Sequence, residues 1–277
     1  NICDAIDIGY RMIDTAAQYG NESEIGDAIS ESGVSRSEIF ITTKLWTQDI
    51  RDREVESALE KSLKNLRTDY VDLYQLHCAS QCYRPDDGTG LYEALLEAKA
   101  SGKIGHIGLT AHSEKVFEKA LELDWVETIM FPYNLVETQG DELIKKCAEK
   151  NIGFIAMKPL AGGAIEDATL ALRFICANED VDVLIPGMAE ISELSQNLAA
   201  CEDTAPLSAE EKAKIMQIRQ ELGTNFCRRC NYCAPCTVGI KIPTVFLFDG
   251  YLTRYGLPDW AKSRYETLDK HASDCIV

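Results

Sequence analysis

Short apolar runs alternate with longer amphipathic stretches over most of the chain. Seven of the short runs are rich in β-branched residues and nearly continuous in apolar character. They span residues 10–16, 39–45, 70–77, 104–109, 127–132, 152–159 and 181–187. Strands covered on both faces have this composition, because neither face meets water. The stretches between them have helical periodicity. "REVESALEKSLKNL" keeps Val55, Leu59, Leu63 and Leu66 near one face with charges opposite, and "GDELIKKCAEKN" and "DATLALRFICANED" repeat the design. Strict alternation of strand and helix predicts an α/β fold around a parallel sheet.

An open doubly wound sheet would carry G-x-G-x-x-G after a strand. "GKIGHIG" spaces its glycines as G-x-x-G-x-x-G and does not supply it. The pattern therefore favours a (β/α)8 TIM barrel with its first strand missing from this chain. The chain starts at Asn1 and stops at Val277, two residues after Cys275, and on this reading is a fragment. The alternation ceases after Asn197, which puts a boundary near residue 203. Residues 1–203 form the barrel, and residues 204–277 a helix plus a small cysteine-rich domain. In that second part "SAEEKAKIMQIRQEL" predicts one charged helix, with Ser208 as N-cap and Glu211 three residues on.

Composition narrows the function classes. The 277 residues are 45% hydrophobic, enough for one large core and a small appendage. The net charge of −17 argues against a nucleic-acid partner or an anionic membrane surface. No apolar run reaches the ~18 residues of a membrane helix. No signal peptide opens the chain, so a cytoplasmic location is expected. Eleven cysteines is an odd number for a disulfide framework, and clustered thiols in a reducing compartment bind metal.

Four polar residues fall at or just beyond predicted strand ends, where barrels of this kind place their chemistry: Asp14, Tyr19, Lys44 and His77. Taken singly, each has a plain reading as a helix cap, loop packing or a core histidine. Lys44 resists it, because an ammonium ending the apolar run "IFITTK" is costly unless paired. Together they make a unit. A lysine beside a phenol lowers the tyrosine pKa toward working pH, a carboxylate compensates the lysine, and a neutral histidine binds a substrate oxygen. That set suits proton delivery to a carbonyl as it accepts hydride.

"GYRMIDTAAQYGNE", "ITTKLW" and "DYVDLYQLH" resemble, in order and interval, the three active-site segments of the aldo-keto reductases. The resemblance runs from Cys3 to about Asn197. It implies an NAD(P)-dependent oxidoreductase acting on a small carbonyl or alcohol. Tyr19 is its general acid, Lys44 the pKa modifier, Asp14 the lysine's partner and His77 the group that orients the carbonyl. For the cofactor, NADP or NAD, the resemblance implies Thr110, Lys158, Leu160, Gly187, Met188 and Asn197. The match departs from the family at several of these positions. "GLTAHS" replaces the usual Ser-Asn, so Ala111 supplies no amide. Met130 stands for a glutamine and Met157 for the stacking aromatic. "IPGMAEISELSQN" lacks the Lys or Arg that grips a 2′-phosphate.

"FCRRCNYCAPC" places Cys227, Cys230, Cys233 and Cys236 at C-x2-C-x2-C-x2-C. This even, tight spacing favours a 4Fe–4S cluster over structural zinc, which takes two knuckles separated by a longer segment. Zinc and reactive thiols stay open as alternatives. With "AMKPLAGG", "MFPYNLVE" and "LIPGM", the motif resembles the aldo-keto reductase branch that carries a C-terminal ferredoxin-type domain. In that branch "HASDCIV" resembles the start of a second cluster motif, which implies Cys275 as a further ligand. A cluster moves single electrons, so an electron-transfer partner is expected if it is redox-active. The competing reading is an electron-transfer or redox-sensing protein that uses the barrel for docking without carbonyl turnover.

Overall fold

A computed structural model describes residues 2–222, 227, 233–253 and 258–276. The strands are β1 (Met12–Asp14), β2 (Phe40–Leu45), β3 (Val71–Leu76), β4 (Ile104–Thr110), β5 (Thr128–Pro132), β6 (Gly153–Met157) and β7 (Val183–Ile185). They pair in parallel in the order of the chain, β1 to β7. The seven predicted runs coincide with the seven strands of the described residues; six of the strands are shorter than their runs, and β4 runs one residue further, to Thr110.

The helices begin with α1 (Ile2–Asp7), α2 (Glu22–Glu31), α3 (Thr47–Asp52), α4 (Val55–Leu66) and α5 (Leu91–Ala100). They continue with α6 (Glu114–Ala120), α7 (Asp141–Glu149), α8 (Ala168–Cys176) and α9 (Ile191–Glu202). Last come α10 (Ala209–Leu222), α11 (Ile242–Thr253) and α12 (Pro258–Tyr265).

Both faces of the sheet are buried, and alternate strand residues serve different layers. On β5, Ile129 and Phe131 join the large apolar layer beneath the helices. Met130, between them, turns the other way and packs with Leu73, Ile155 and Met157, against Met12, Val183 and Ile185. That second cluster draws on both edge strands, so the sheet curls into a nearly closed barrel with its own interior. The edges of β1 and β7 face a common cavity of about 650 Å³.

Helix α4 buries Val55, Leu59, Leu63 and Leu66, as its periodicity predicts, and Arg67 ends it in the left-handed conformation. Beyond the boundary drawn from sequence, α10 lies on the barrel's outer layer. Its Ile215 packs with Leu135, Leu170 and Ala171, a burial worth about 1.5–3 kcal/mol. The predicted capping pair is present. The Ser208 amide donates to Glu211 Oε2 at 2.7 Å, and the Glu211 amide donates to Ser208 Oγ at 3.1 Å.

Helices α2 and α4 touch at Gly26. A Cβ there would meet the Asn65 carbonyl oxygen at 2.6 Å and the Leu66 carbonyl carbon at 2.8 Å. Both are backbone and cannot step aside. Gly26→Ala is therefore expected to destabilise the fold by about 1–3 kcal/mol in urea unfolding. An unchanged midpoint would mean that the two helices do not approach this closely.

Candidate active site

Three consecutive strands bring the four predicted residues together. Asp14 is the last residue of β1, Lys44 lies one short of the end of β2, and His77 follows β3 directly. The parallel register sets Asp14 opposite Thr42, two residues before Lys44, and β2 and β3 end together at Leu45 and Leu76. Tyr19 closes a 3₁₀ turn, Ala17–Tyr19, that Gly20 terminates at φ 70°, in the left-handed region open to glycine.

Lys44 is 1% exposed. Its Nζ donates to Asp14 Oδ1 at 2.6 Å and to the Thr15 carbonyl at 2.7 Å. The same nitrogen sits 5.3 Å from the centre of the Tyr19 ring. The Tyr19 and His77 rings meet edge to face at 5.7 Å, and Trp46 closes on His77 at 5.5 Å. Sequence patterning did not bring out the Thr15 carbonyl or Trp46. A backbone oxygen leaves no signature in sequence, whereas Trp46 lay within reach, two residues after Lys44 in "KLW".

Burial pushes the His77 pKa down to about 4, and the Lys44 cation pushes in the same direction, so the imidazole is neutral at ordinary pH. Burial raises Asp14 and lowers Lys44, and each shift is opposed by the other partner's charge. Among the described residues, Asp14 Oδ2 and His77 Nδ1 are buried polar atoms with no hydrogen-bond partner.

Tyr19 corrects an expectation. Lys44 was expected to lower its pKa, yet the phenol is pushed up to about 12, first by burial, then by the Asp14 carboxylate and the Cys78 thiol. The reason is geometric. The ammonium is bound to a carboxylate, so the pair presents little net charge. Tyr19 is still 54% exposed, which leaves its side chain open to a ligand.

The residues expected at the cofactor are spread around the same end of the barrel. Gly187 and Met188 follow β7 and line the 650 Å³ cavity together with Asp14 and Tyr19. Thr110, Lys158, Leu160 and Asn197 are not in that lining. Thr110 ends β4 and accepts a hydrogen bond from the Cys78 amide at 2.7 Å. Lys158 follows β6 at φ 57°, and its carbonyl accepts from Asn134 Nδ2 at 2.9 Å. Leu160 packs toward α8 and α10, and Asn197 is buried on α9. Met157 packs in the barrel interior with Leu73, Met130 and Ile155.

Cys227, Cys233 and Cys236 fall among the described residues and Cys230 outside them. Among the described residues no group of three or more His, Cys, Asp or Glu side chains converges as a metal site. The Cys236 thiol is held below its usual pKa by backbone amides, those of Val238 and Ile240 foremost. Cys275 is exposed after a 3₁₀ turn, Ala272–Asp274. No helix among the described residues is long and apolar enough to cross a membrane.

A barrel mouth with this tetrad defines an oxidoreductase-like site, and comparison with known proteins gives the class. The model of the aldo/keto reductase family matches residues 2–168. Methylglyoxal reductase DkgB of Salmonella typhi is 44% identical over 120 residues, covering 42% of this chain and 43% of that protein. The protein of the same name from Escherichia coli O157:H7 is 37% identical over 177 residues, covering 60% and 63%. Among solved structures, MGS-M4, an aldo-keto reductase enzyme from a Medee basin deep-sea metagenome library, superposes with a TM-score of 0.66 at 28% identity, covering 78% of this chain and 84% of that one. A putative 2,5-diketo-D-gluconic acid reductase B gives a TM-score of 0.65 at 28% identity, covering 78% and 81%. The chain belongs to the aldo/keto reductase family. It spans about half the length of the curated relatives it matches, from 43% to 63%.

The buried pair gives a stability prediction. Lys44→Met leaves the Asp14 carboxylate in a poorly solvated site, and is expected to cost about 3–5 kcal/mol at neutral pH. Adding Asp14→Asn should recover part of that loss, which a double-mutant cycle by chemical denaturation will show. Strict additivity of the two single changes would deny that they are coupled.

Proposed function

We propose that this site carries NAD(P)H-dependent reduction of a small carbonyl compound, and the reverse alcohol oxidation, with Tyr19 as general acid. The observation that carries the proposal is the convergence of Tyr19, His77 and a buried Lys44 paired with Asp14 at one end of the barrel. The similarity to methylglyoxal reductases makes methylglyoxal the first substrate to assay.

The donor set fits a nicotinamide nucleotide. The cavity lies in the range of small-ligand sites, and it joins Asp14 and Tyr19 to Gly187 and Met188. Its walls include Asp14, whose Oδ2 has no hydrogen-bond partner among the described residues. Gly187 has open space where a Cβ would stand, so its backbone can be approached closely. On this reading Gly187, Met188, Thr110, Lys158, Leu160 and Asn197 hold the nucleotide, and the bound nicotinamide supplies the hydride. With no Lys or Arg between Ile185 and Asn197, no cation in that segment grips a 2′-phosphate, so NADH is expected to serve at least as well as NADPH.

The remaining steps belong to the chain's own side chains. His77, being neutral, has one ring N–H to donate to the carbonyl oxygen. Tyr19 gives its proton to that oxygen as negative charge develops. Lys44 then faces a phenolate instead of a phenol, and its charge favours that product. Asp14 and the Thr15 carbonyl keep the ammonium in place throughout.

We further propose that Cys227, Cys230, Cys233 and Cys236 bind a 4Fe–4S cluster, with Cys275 available to another in the branch the motifs resemble. The even spacing supports this, as do the amides aimed at Cys236, because donors to sulfur stabilise the thiolate form that iron binds.

Tyr19→Phe is expected to lower kcat for carbonyl reduction by about 10²–10⁴ while cofactor binding, followed by fluorescence quenching, persists. A variant that keeps its rate would remove Tyr19 from the reaction. The pH profile carries a sign. An acid must be protonated, so the reduction rate should hold through neutral and mildly alkaline pH and fall only as pH rises toward the phenol's value of about 12. A descending limb centred near neutrality would contradict this. Anaerobic purification should yield about four iron and four sulfide per chain, and stoichiometric zinc would overturn the cluster assignment.

A further inference from the structure

Two thiols lie on neighbouring helices of the outer layer, and neither lines the 650 Å³ cavity. Cys176 is the last residue of α8 and Cys201 the penultimate residue of α9, and these helices pack against each other. Each thiol lies near enough to the other to alter its acidity. Cys176 is exposed and Cys201 half-buried, so a solute can reach the pair.

A separate set of contacts holds the two helix ends in register. Arg173, one turn before Cys176, forms an ion pair with Asp203, two residues beyond Cys201. The same guanidinium donates to the Asp203 carbonyl at 3.1 Å and to Glu211 Oε1 at 2.7 Å. This clamp keeps the sulfurs adjacent whether or not they are bonded.

We propose that Cys176 and Cys201 are a redox-active dithiol that closes to a disulfide when it meets a hydroperoxide or a low-molecular-weight disulfide. This goes beyond carbonyl reduction and does not depend on it.

The two sulfurs have different roles. The neighbouring Cys201 thiol and the Arg173 cation favour Cys176 as thiolate, drawing its pKa down to about 7. The same proximity pushes the Cys201 thiol up, so it stays protonated. With a hydroperoxide, Cys176 attacks the terminal oxygen. An S–O bond forms, the O–O bond breaks, and an alcohol or water leaves. Cys201 then attacks the sulfenic sulfur, the S–S bond forms, and water departs. The two thiols lose two electrons and two protons, and the peroxide takes up both. With a small disulfide the same pair exchanges, and two small thiols are released. Cys147 is the internal contrast. It is buried on α7 and its pKa is pushed up to about 12, chiefly by burial.

The test uses the full chain, reduced and freed of reductant, exposed to hydrogen peroxide or oxidised glutathione, alkylated and digested with trypsin. No Lys or Arg lies between Arg173 and Lys212, so both thiols fall in one peptide, residues 174–212. The expected result is that this peptide is about 2 Da lighter than its reduced form and carries no alkyl groups. Dithiothreitol should restore both alkylation sites, and Cys176→Ser should abolish the mass change. Cys201→Ala should also slow alkylation of Cys176 at neutral pH by about tenfold, a readout independent of oxidation. Full alkylation of both residues after oxidant would overturn the proposal. So would capture of either one by glutathione or by another cysteine as the main product.

Discussion

Lys44 puts an ammonium group into the barrel mouth with almost no access to water, and Asp14 and the Thr15 carbonyl keep it charged there. A buried lysine without such partners would release its proton or distort the strand end. The partners come from β1 and the lysine from β2, so the ion pair also fixes the level at which these strands meet. Tyr19 is placed by the turn that follows Asp14, and His77 by the strand that pairs with β2. The site is therefore a consequence of three neighbouring parallel strands that end around one buried lysine.

That arrangement sets the electrostatics of its neighbours. The cation helps keep His77 neutral, which leaves an imidazole able to donate a hydrogen bond without adding a second positive charge. Asp14 cancels most of the field that would otherwise acidify Tyr19, and the phenol stays protonated. A protonated phenol suits an acid waiting for an electron-rich oxygen. It suits a base less well.

Much of this could be read from the sequence because burial on both faces gives strands a continuous apolar signature. Each of the seven strands matched such a run, and Asp14, Lys44 and His77 stood out as polar residues interrupting apolar runs or directly following them. The polarity of the Tyr19 shift was not legible. It depends on how closely a carboxylate shadows the ammonium, and that distance is not written in residue order. The Cys176–Cys201 pair was equally hidden. The two cysteines are 25 positions apart in sequence, and only the packing of α8 on α9, clamped by Arg173, brings them together. Cys230 lies outside the described residues, so the cysteine motif rests on its spacing and on the amides that surround Cys236.

The central claim is that Lys44, compensated by Asp14, leaves Tyr19 a fully protonated acid. Ultraviolet difference titration of the chain against its Tyr19→Phe variant isolates this one phenol among the eleven tyrosines. The account predicts no phenolate signal attributable to Tyr19 until the pH is well above about 10, the usual tyrosine value. A midpoint below that value would contradict it, because Lys44 would then be acidifying the phenol despite Asp14.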